Sequence, residues 1–346
     1  MKRLWRGALV LVCVLLLAAH SVAWWLTVRQ LQTRLAAIVA EWRDEGVAVT
    51  MGEPSRGGWP LAATLEIPAL AIGPGGMPGG VTLGSDRVIV GLGVGHLDTL
   101  RVDLPMPVRL QLPNGPEVAA DSPDGRIDVK LADPNDAAFD ATRLRARWLA
   151  ADGGAQEATA ALAHAQAIRT PQGLLTSFSA QSIELPGPRP GQVQPLGRRL
   201  ASVSGDATVF GSLQGTPDPA AALAAWRDAG GHIAVTRFGI GYGPLGLSGH
   251  GDLRLDAGLQ PLAQATLRLI GWARALDALA AAGVVPGRSV AAMKAVLGLL
   301  TRPTQTGSQT GAEPEVEVPL TLRDGTVSIA GFPLARIAKL AWPGRP

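Results

Sequence analysis

The stretch Leu61-Ala62-Ala63-Thr64-Leu65-Glu66-Ile67 places an apolar side chain at every second position, a pattern typical of a β-strand with one buried face. The same alternation returns in four later runs, at residues 88–94, 100–104, 108–112 and 127–131. Gly and Pro, which account for 43 and 27 of the 346 residues, separate these runs with turns. Short consecutive strands with turn-sized gaps predict a mainly β (α+β) fold whose strands pair antiparallel.

The second half of the chain adds a few helices to this pattern. Residues 155–168 fit either an Ala-rich strand or a helix, and we favour the strand. Asp218-Pro219 supplies an N-cap and a first-turn proline for a helix that ends at Gly230-Gly231. Two further helices are predicted at residues 272–282 and 289–300, followed by a polar loop at residues 301–313. A hairpin around Arg323-Asp324-Gly325 is predicted at residues 316–330.

The N-terminus carries a segment suited to a membrane. Residues 7–26 contain no formally charged side chain, and about 20 apolar residues suffice for a helix to cross a bilayer. Trp24 and Trp25 lie at its far end, where indole rings favour the membrane interface, and three cations precede it, Lys2, Arg3 and Arg6. Residues 1–26 are therefore predicted to be a transmembrane anchor with a cytoplasmic N-terminus and an exported body.

A cleaved signal peptide is the alternative for this segment, because Ser21-Val22-Ala23 offers small residues for processing. Both interpretations export the rest of the chain. We favour the retained anchor, since the apolar run continues into an amphipathic helix at residues 27–46 that Gly46 ends. We expect this stalk to pack against the exported β-rich domain, residues 47–346, and a helix that binds a partner protein is the alternative.

The net charge of +3 comes from the N-terminus alone. Three of the 31 cations precede the apolar run, so the remaining 28 balance 28 anions. A neutral body lacks the basic face that phosphate neutralisation requires, which argues against nucleic acid as a partner.

No set of residues predicts an active site, a metal site or a cofactor. His250, Asp252 and Asp256 could share one strand face as metal ligands, and a structural role in the hairpin is the alternative. Residues 241–246 match G-x-G-x-x-G, yet a strand follows where nucleotide binding requires a helix N-terminus. We therefore expect a non-enzymatic protein; a hydrolase built on His232, His250 and Asp252 is the remaining enzymatic hypothesis.

One strand offers a basic face at every second position. This face consists of Arg143, Arg145 and Arg147, which alternate with Leu144, Ala146 and Trp148. A solvated outer face is the simpler interpretation. The functional hypothesis is contact with an anionic lipid headgroup, because guanidinium groups match phosphate in a fork geometry.

Several blocks of the sequence resemble domain of unknown function 2125, a bacterial envelope family. The strongest lie within residues 217–342, and one lies near the anchor. The positions that carry the resemblance are Trp59, Pro60, Trp226, Gly230, Gly231, Gly243, Pro244, Gly251, Asp256, Pro261, Asp324, Gly325 and Pro333. The resemblance implies no catalytic residues.

This family looks distantly like the AsmA-type envelope proteins. That comparison implies a long curved antiparallel sheet, half-barrel or groove-like, with a few packed helices, an anchor in the bacterial inner membrane and a body in the periplasm. It also implies a non-enzymatic role with lipids or lipidated molecules. Alternation assigns the apolar groove to Leu61, Leu65, Val90, Leu92, Leu253 and Leu255. A scaffold that binds unknown envelope proteins through its rim, without a lipid groove, is the alternative.

Overall fold

The fold is mainly antiparallel β, as predicted. The computed structural model describes residues 2–44, 46–73, 81–93, 95–105, 107–111, 115–150, 152–189, 191–212, 219–300, 315–329 and 331–340. Within these ranges the chain forms eighteen strands and four helices, and it divides into two compact units, residues 1–137 and 138–346. The half-barrel or groove-like curvature of the sheet stays a prediction.

The first unit consists of one long helix and a small sheet. Its elements are α1 (Lys2–Asp44), β1 (Val49–Thr50), β2 (Ser55–Gly57), β3 (Ala62–Ile72), β4 (Thr82–Gly93), β5 (His96–Asp103), β6 (Val108–Gln111), β7 (Glu117–Asp121) and β8 (Arg126–Lys130). The strands β3 and β4 form its centre: β3 pairs antiparallel with β1, β2 and β4, and β4 pairs with β5 and β6. The outer strands β7 and β8 pair with β6 and β5.

The helix α1 joins the apolar run to the predicted stalk without a break. Its apolar segment makes it the one helix in the described part of the chain that is long and apolar enough to cross a membrane. Farther along, Val28 is fully buried against Ala63 and Leu65 of β3, and Val39 packs with Val47 and Val49. The same helix therefore provides both the apolar segment and the cover for one face of β3.

The second unit is an antiparallel meander with three short helices. Its elements are β9 (Asp136–Leu149), β10 (Ala155–Thr170), β11 (Gly173–Glu184), β12 (Arg199–Phe210), α2 (Pro219–Asp228), β13 (His232–Tyr242), β14 (Leu245–Leu255), β15 (Pro261–Ile270), α3 (Trp272–Ala281), α4 (Gly287–Leu300), β16 (Val316–Arg323), β17 (Thr326–Ile329) and β18 (Phe332–Arg336). Each strand from β10 to β18 pairs antiparallel with the next along the chain. Because each of these strands pairs with the next along the chain, the meander positions one continuous sheet face.

The local predictions for this unit agree with the structure. Residues 155–168 lie in strand β10, which confirms the choice of a strand over a helix. The helix after Asp218 and both later helices are present as α2, α3 and α4. The G-x-G-x-x-G match forms the hairpin between β13 and β14, where Tyr242 pairs with Leu245. The predicted polar loop, residues 301–313, lies outside the described residues.

The main core of the second unit lies between its sheet and the helices α3 and α4. Leu267 and Leu269 of β15 and Val316 and Val318 of β16 are buried there, beneath Trp272. Apolar side chains from α4 complete this core. Burial of aliphatic side chains on one sheet face is thus the principal stabilising term in this unit.

This core makes a testable prediction about stability. Leu267 is 3% exposed, so Leu267→Ala is expected to lower the free energy of unfolding by about 2–5 kcal/mol through lost burial and an unfilled cavity. Leu175, which is 41% exposed, is the matched control, and Leu175→Ala should change that free energy by about 0.5 kcal/mol or less. Urea unfolding of the full chain in detergent measures both, and equal losses would contradict this assignment of the core.

Candidate functional site

One face of the second unit's sheet is apolar across its width. Residues paired directly across antiparallel strands point to the same face, so the register groups them into rows. Four adjacent rows start at β10 and consist almost wholly of Ala, Gly, aliphatic residues and Phe. They are Ala163-Ala180-Val203-Ile240-Leu247-Leu269-Val316, Ala165-Phe178-Gly205-Phe238-Gly249-Leu267-Val318, Ala167-Thr176-Ala207-Val235-Gly251-Ala265-Leu320-Ile329 and Arg169-Leu174-Val209-Ile233-Leu253-Ala263-Leu322-Val327.

The opposite face of the same strands is polar. One of its rows reads His164-Ser179-Ser204-Gly239-Ser248-Arg268-Glu317. Ion pairs stabilise this face: Arg237 lies 2.7 Å from Asp206, and Arg268 pairs with Glu315. In the four apolar rows the only formal charge is Arg169, at one end. One face of this sheet is therefore apolar and the opposite face is polar.

Glycines and phenylalanines alternate along the second of these rows. A Cβ on Gly205 would lie 2.5 Å from Cε1 of Phe178, so the phenyl ring covers the glycine of the neighbouring strand. Phe238 is placed in the same way, because a Cβ on Gly249 would lie 2.9 Å from its ring. Each ring thus occupies the space that a side chain on the neighbouring glycine would need, and this part of the face is apolar.

The helices α3 and α4 cover only part of the apolar face. They pack on β14 to β16, and this core extends to Phe238 on β13. Two strands farther, on β11, the Phe178 side chain is 50% exposed. The apolar surface therefore continues beyond the helices that cover its β14–β16 end.

A cavity of about 420 Å³ lies between these two helices and the sheet. Its walls are almost entirely aliphatic or aromatic: Leu245, Leu269, Trp272, Ala275, Leu276, Leu279, Ser289, Ala292, Met293, Val296, Leu297 and Ile329. A cavity of this volume lies within the range of roughly 300–1,000 Å³ that small-molecule sites occupy. The chemistry of its walls suits an apolar ligand.

One polar group of this cavity lacks a partner. Trp272 is 8% exposed, and within the described residues its indole Nε1 is buried without a hydrogen-bond partner. A buried donor left unpaired costs about 1–3 kcal/mol, so native structures rarely keep one without a reason. Because Trp272 is also a wall residue of the cavity, a ligand oxygen that reached Nε1 would satisfy this N–H group.

The six predicted groove residues fall into different environments. Leu253 and Leu255 pair with Ala263 and Pro261 of β15, and Leu253 belongs to the fourth apolar row. Leu65 is 1% exposed and packs beneath α1. Val90 and Leu92 pair with Leu65 and Ala63, so they lie on the face of β3 and β4 that α1 covers.

Leu61 precedes strand β3 in the turn after Trp59 and is 76% exposed. The structure therefore brings only the β14 pair to the apolar face of the second unit. Leu65 lies in a closed core instead of a groove, because alternation identifies an apolar face but not the element that covers it.

The cavity residues on α3 and α4 were not among the sequence candidates. A signal for them exists, since Trp272, Leu276 and Leu279 recur at helical spacing on α3, and Met293, Val296 and Leu297 do so on α4. Helical spacing alone predicts a buried face. That two such faces leave a space above the sheet depends on tertiary packing.

The three arginines of β9 are exposed, and the residues between them are less so. Arg145 lies 3.8 Å from Glu157, with both side chains half exposed, and Arg147 also has an interaction partner. This geometry fits a solvated outer face with one loose ion pair. Contact with an anionic headgroup stays a prediction for these residues.

The histidines and carboxylates considered for metal or hydrolytic chemistry take part in local structure. His232 stacks on Phe210 with ring centroids 4.6 Å apart, and its Nδ1 lies 3.1 Å from the carbonyl oxygen of Gly230. Asp256 accepts a hydrogen bond from the Gln260 backbone N–H at 2.8 Å in the turn between β14 and β15. The residues that the structure describes contain no group of three or more His, Cys, Asp or Glu able to hold a metal ion.

Trp226, Gly231 and Asp256, three of the positions that carry the family resemblance, take part in contacts around α2. Trp226 is buried, and its Nε1 donates to the carbonyl of Phe210 at 2.7 Å. Only glycine fits beside this ring at position 231, because a Cβ there would lie 2.3 Å from Trp226. Arg227 donates to the carbonyls of Asp256 and Ala257, each at 3.0 Å. These residues join α2 to the turn between β14 and β15.

Ionisable groups with displaced pKa values lie in the first unit. Burial raises the pKa of Asp103, partly offset by the charge of Arg101. The hydrogen bond from Arg109 lowers the pKa of Asp86, and the hydrogen bond to Asp136 raises the pKa of Lys130. Arg101 and Asp103 line a small cavity of about 130 Å³, and Arg101 also pairs with Asp128 at 3.1 Å. Asp86, Lys130 and Arg101 thus take part in ion pairs of the first unit, whereas the shift of the Asp103 pKa comes mainly from burial.

Together these features define a class of protein: a mainly antiparallel β body with an apolar sheet face, attached to a helix long and apolar enough to span a membrane. The family is identified directly. A family model described as "Uncharacterized protein conserved in bacteria (DUF2125)" matches residues 24–338, nearly the whole chain, and the protein belongs to this family. No curated protein matches the chain.

Proposed function

We propose that this protein is a membrane-anchored, non-enzymatic envelope protein that binds the acyl chain of a lipid or lipidated molecule. The observation that carries the proposal is the apolar face of the second unit's sheet, with the cavity of about 420 Å³ beneath α3 and α4. Burial of each methylene group contributes about 0.8 kcal/mol, so even a short segment of an acyl chain would bind with useful affinity.

The unpaired indole N–H of Trp272 favours a ligand that has a polar group at one end. Trp272 Nε1 would donate to a carbonyl or carboxyl oxygen of the bound molecule. Ser289 is the other lining residue with a polar side chain. An acyl chain with a carbonyl group at its head matches both features, since sites for such ligands combine apolar walls with few polar contacts.

The proposed location follows from the N-terminal charges. Lys2, Arg3 and Arg6 precede the apolar run, which favours a cytoplasmic N-terminus and an exported body. In a bacterium we propose the inner membrane for the helix and the periplasm for the sheet. The ligand would then come from the same membrane or from lipidated molecules beside it. No cofactor is required for this function.

A scaffold that binds other envelope proteins is the second candidate. It is supported by apolar side chains on the outer side of the α3–α4 hairpin, where Leu299 is 88% and Val284 is 49% exposed. Both functions use the same helices, but only acyl-chain binding uses the cavity. A substitution that fills the cavity with a larger side chain therefore distinguishes the two functions.

We expect Ala292→Trp to reduce the lipid retained by the purified protein several-fold. Ala292 lines the cavity from α4, so an indole at this position would occupy the space of the ligand. Ala291→Trp is the matched control, because both alanines are exposed on the same helix but only Ala292 lines the cavity. Mass spectrometry of molecules that co-purify with the detergent-extracted protein measures the retention.

The same spectra include the intact mass, which reports whether the chain is cleaved after Ala23. Equal lipid content in both variants and the wild type would contradict binding in this cavity. Loss of lipid in both variants would also contradict it, since the control leaves the cavity open.

Trp272→Phe tests the polar contact. The substitution keeps an aromatic ring in the core but removes the buried donor, so retention of lipids with a carbonyl head should fall several-fold. The free energy of unfolding without lipid should be unchanged or higher, because an unpaired buried donor costs about 1–3 kcal/mol. Lipid retention at the wild-type level, measured in the same way, would show that Nε1 does not contact the ligand.

A further inference from the structure

We propose that the turn formed by Gly58, Trp59, Pro60 and Leu61 enters the lipid interface of the same bilayer that α1 crosses, and that it seats the body on the membrane. Its occupant would be the phospholipid surface itself. The side chains of Trp59 and Leu61 are 50% and 76% exposed, although both are large and apolar. Trp25, on the neighbouring helix, is also 41% exposed.

Two hydrogen bonds attach this turn to the apolar part of α1. His20 Nε2 donates to the carbonyl oxygen of Pro60 at 2.7 Å, and Trp24 Nε1 donates to the carbonyl oxygen of Ala62 at 2.8 Å. Both donors belong to the charge-free run, residues 7–26. The depth of the turn is therefore fixed relative to the segment that spans the membrane.

The length of the helix then determines where the turn lies. A helix rises about 1.5 Å per residue, so His20 lies roughly 9 Å before the end of the run at Leu26. A span that stopped before His20 would cover residues 7–19, roughly 20 Å, whereas the hydrocarbon core is about 30 Å thick. A bilayer that covers the run therefore reaches the level of Pro60.

Part of the polar backbone in and beside the turn is paired within the protein. Polar backbone groups in lipid must be paired within the protein. The Ala62 N–H donates to the carbonyl of Gly58 at 2.8 Å, proline has no N–H, and α1 pairs the carbonyls of Pro60 and Ala62. Trp59 directly precedes the proline that His20 contacts, and tryptophan is enriched at the interfaces of membrane proteins.

Polar contacts begin farther along the helix. Arg29 lies over the Trp25 ring, with its Cζ 5.3 Å from the ring centroid. Beyond it, Arg56 of β2 donates to the side chain of Gln32 at 2.9 Å. From His20 to Gln32 the helix rises about 18 Å, so the change from charge-free to charged side chains takes place within little more than three helical turns.

The inference rests on the membrane-anchor part of the proposed function and not on acyl-chain binding. To test it, the lone Cys13 is replaced by Ala, and single cysteines are introduced as Trp59→Cys and Leu61→Cys in the full chain. Ser55→Cys is the control, because Ser55 is exposed on β2 and pairs with Glu66, five residues beyond Leu61. Each cysteine receives a nitroxide label in vesicles of phosphatidylethanolamine and phosphatidylglycerol.

Collisions with oxygen and with a water-soluble nickel chelate report the depth of each label. Labels at positions 59 and 61 should be several-fold less accessible to nickel than the label at position 55, and more accessible to oxygen. Equal nickel accessibility at the three positions would overturn the proposal. The Leu61→Cys variant is expected to fold like the wild type, since the Leu61 side chain is largely exposed.

Alkaline carbonate extraction of the same vesicles separates the two claims. Protein that stays in the membrane while positions 59 and 61 are in water retains the anchor and refutes the seated turn. Protein that is released refutes the anchor and, with it, this inference.

Discussion

The alternation of apolar side chains along antiparallel strands is the constraint on which the rest of this structure depends. Because each strand places every second residue on one face, a meander of such strands must either cover that face or leave it open. In the first unit α1 covers the face that contains Leu65. In the second unit α3 and α4 cover β14 to β16, while Phe178 on β11 is half exposed. The cavity and the open apolar surface follow from this partial cover.

The helix α1 meets two different environments along its length. Leu11, Leu15 and Leu16 are more than half exposed, as a segment that faces lipid would be, whereas Val28 is completely buried against the sheet. Between them, His20 and Trp24 donate to the backbone before β3 and at its first residue. The helix α1 is thus part of the core of the first unit, and its removal would uncover Ala63 and Leu65.

Much of the fold was accessible from the sequence, and the site only in part. Alternation predicted the strands, and the Asp218-Pro219 and Gly230-Gly231 signals bounded α2 correctly within two residues. Leu253 lies on the apolar face of the second unit's sheet, but Leu65 and Val90 have the same pattern and lie on the face of β3 and β4 that α1 covers. Sequence spacing predicts which face of a strand a residue lies on, but it does not predict which element packs over that face. Leu245 and Ile329 both line the cavity, although they are far apart in the sequence. Only tertiary packing brings two such residues together.

The central claim is that an acyl chain occupies the space between the sheet and the α3–α4 helices. The most direct measurement is photocrosslinking with phosphatidylethanolamine that carries a diazirine near the end of one acyl chain, in membranes that contain the full protein. Mapping the adducts by peptide mass spectrometry should place them on α3, α4 and β14, in addition to α1. Adducts confined to α1 and the turn at Trp59 would show contact with the bilayer alone and would contradict an acyl-chain site in the sheet.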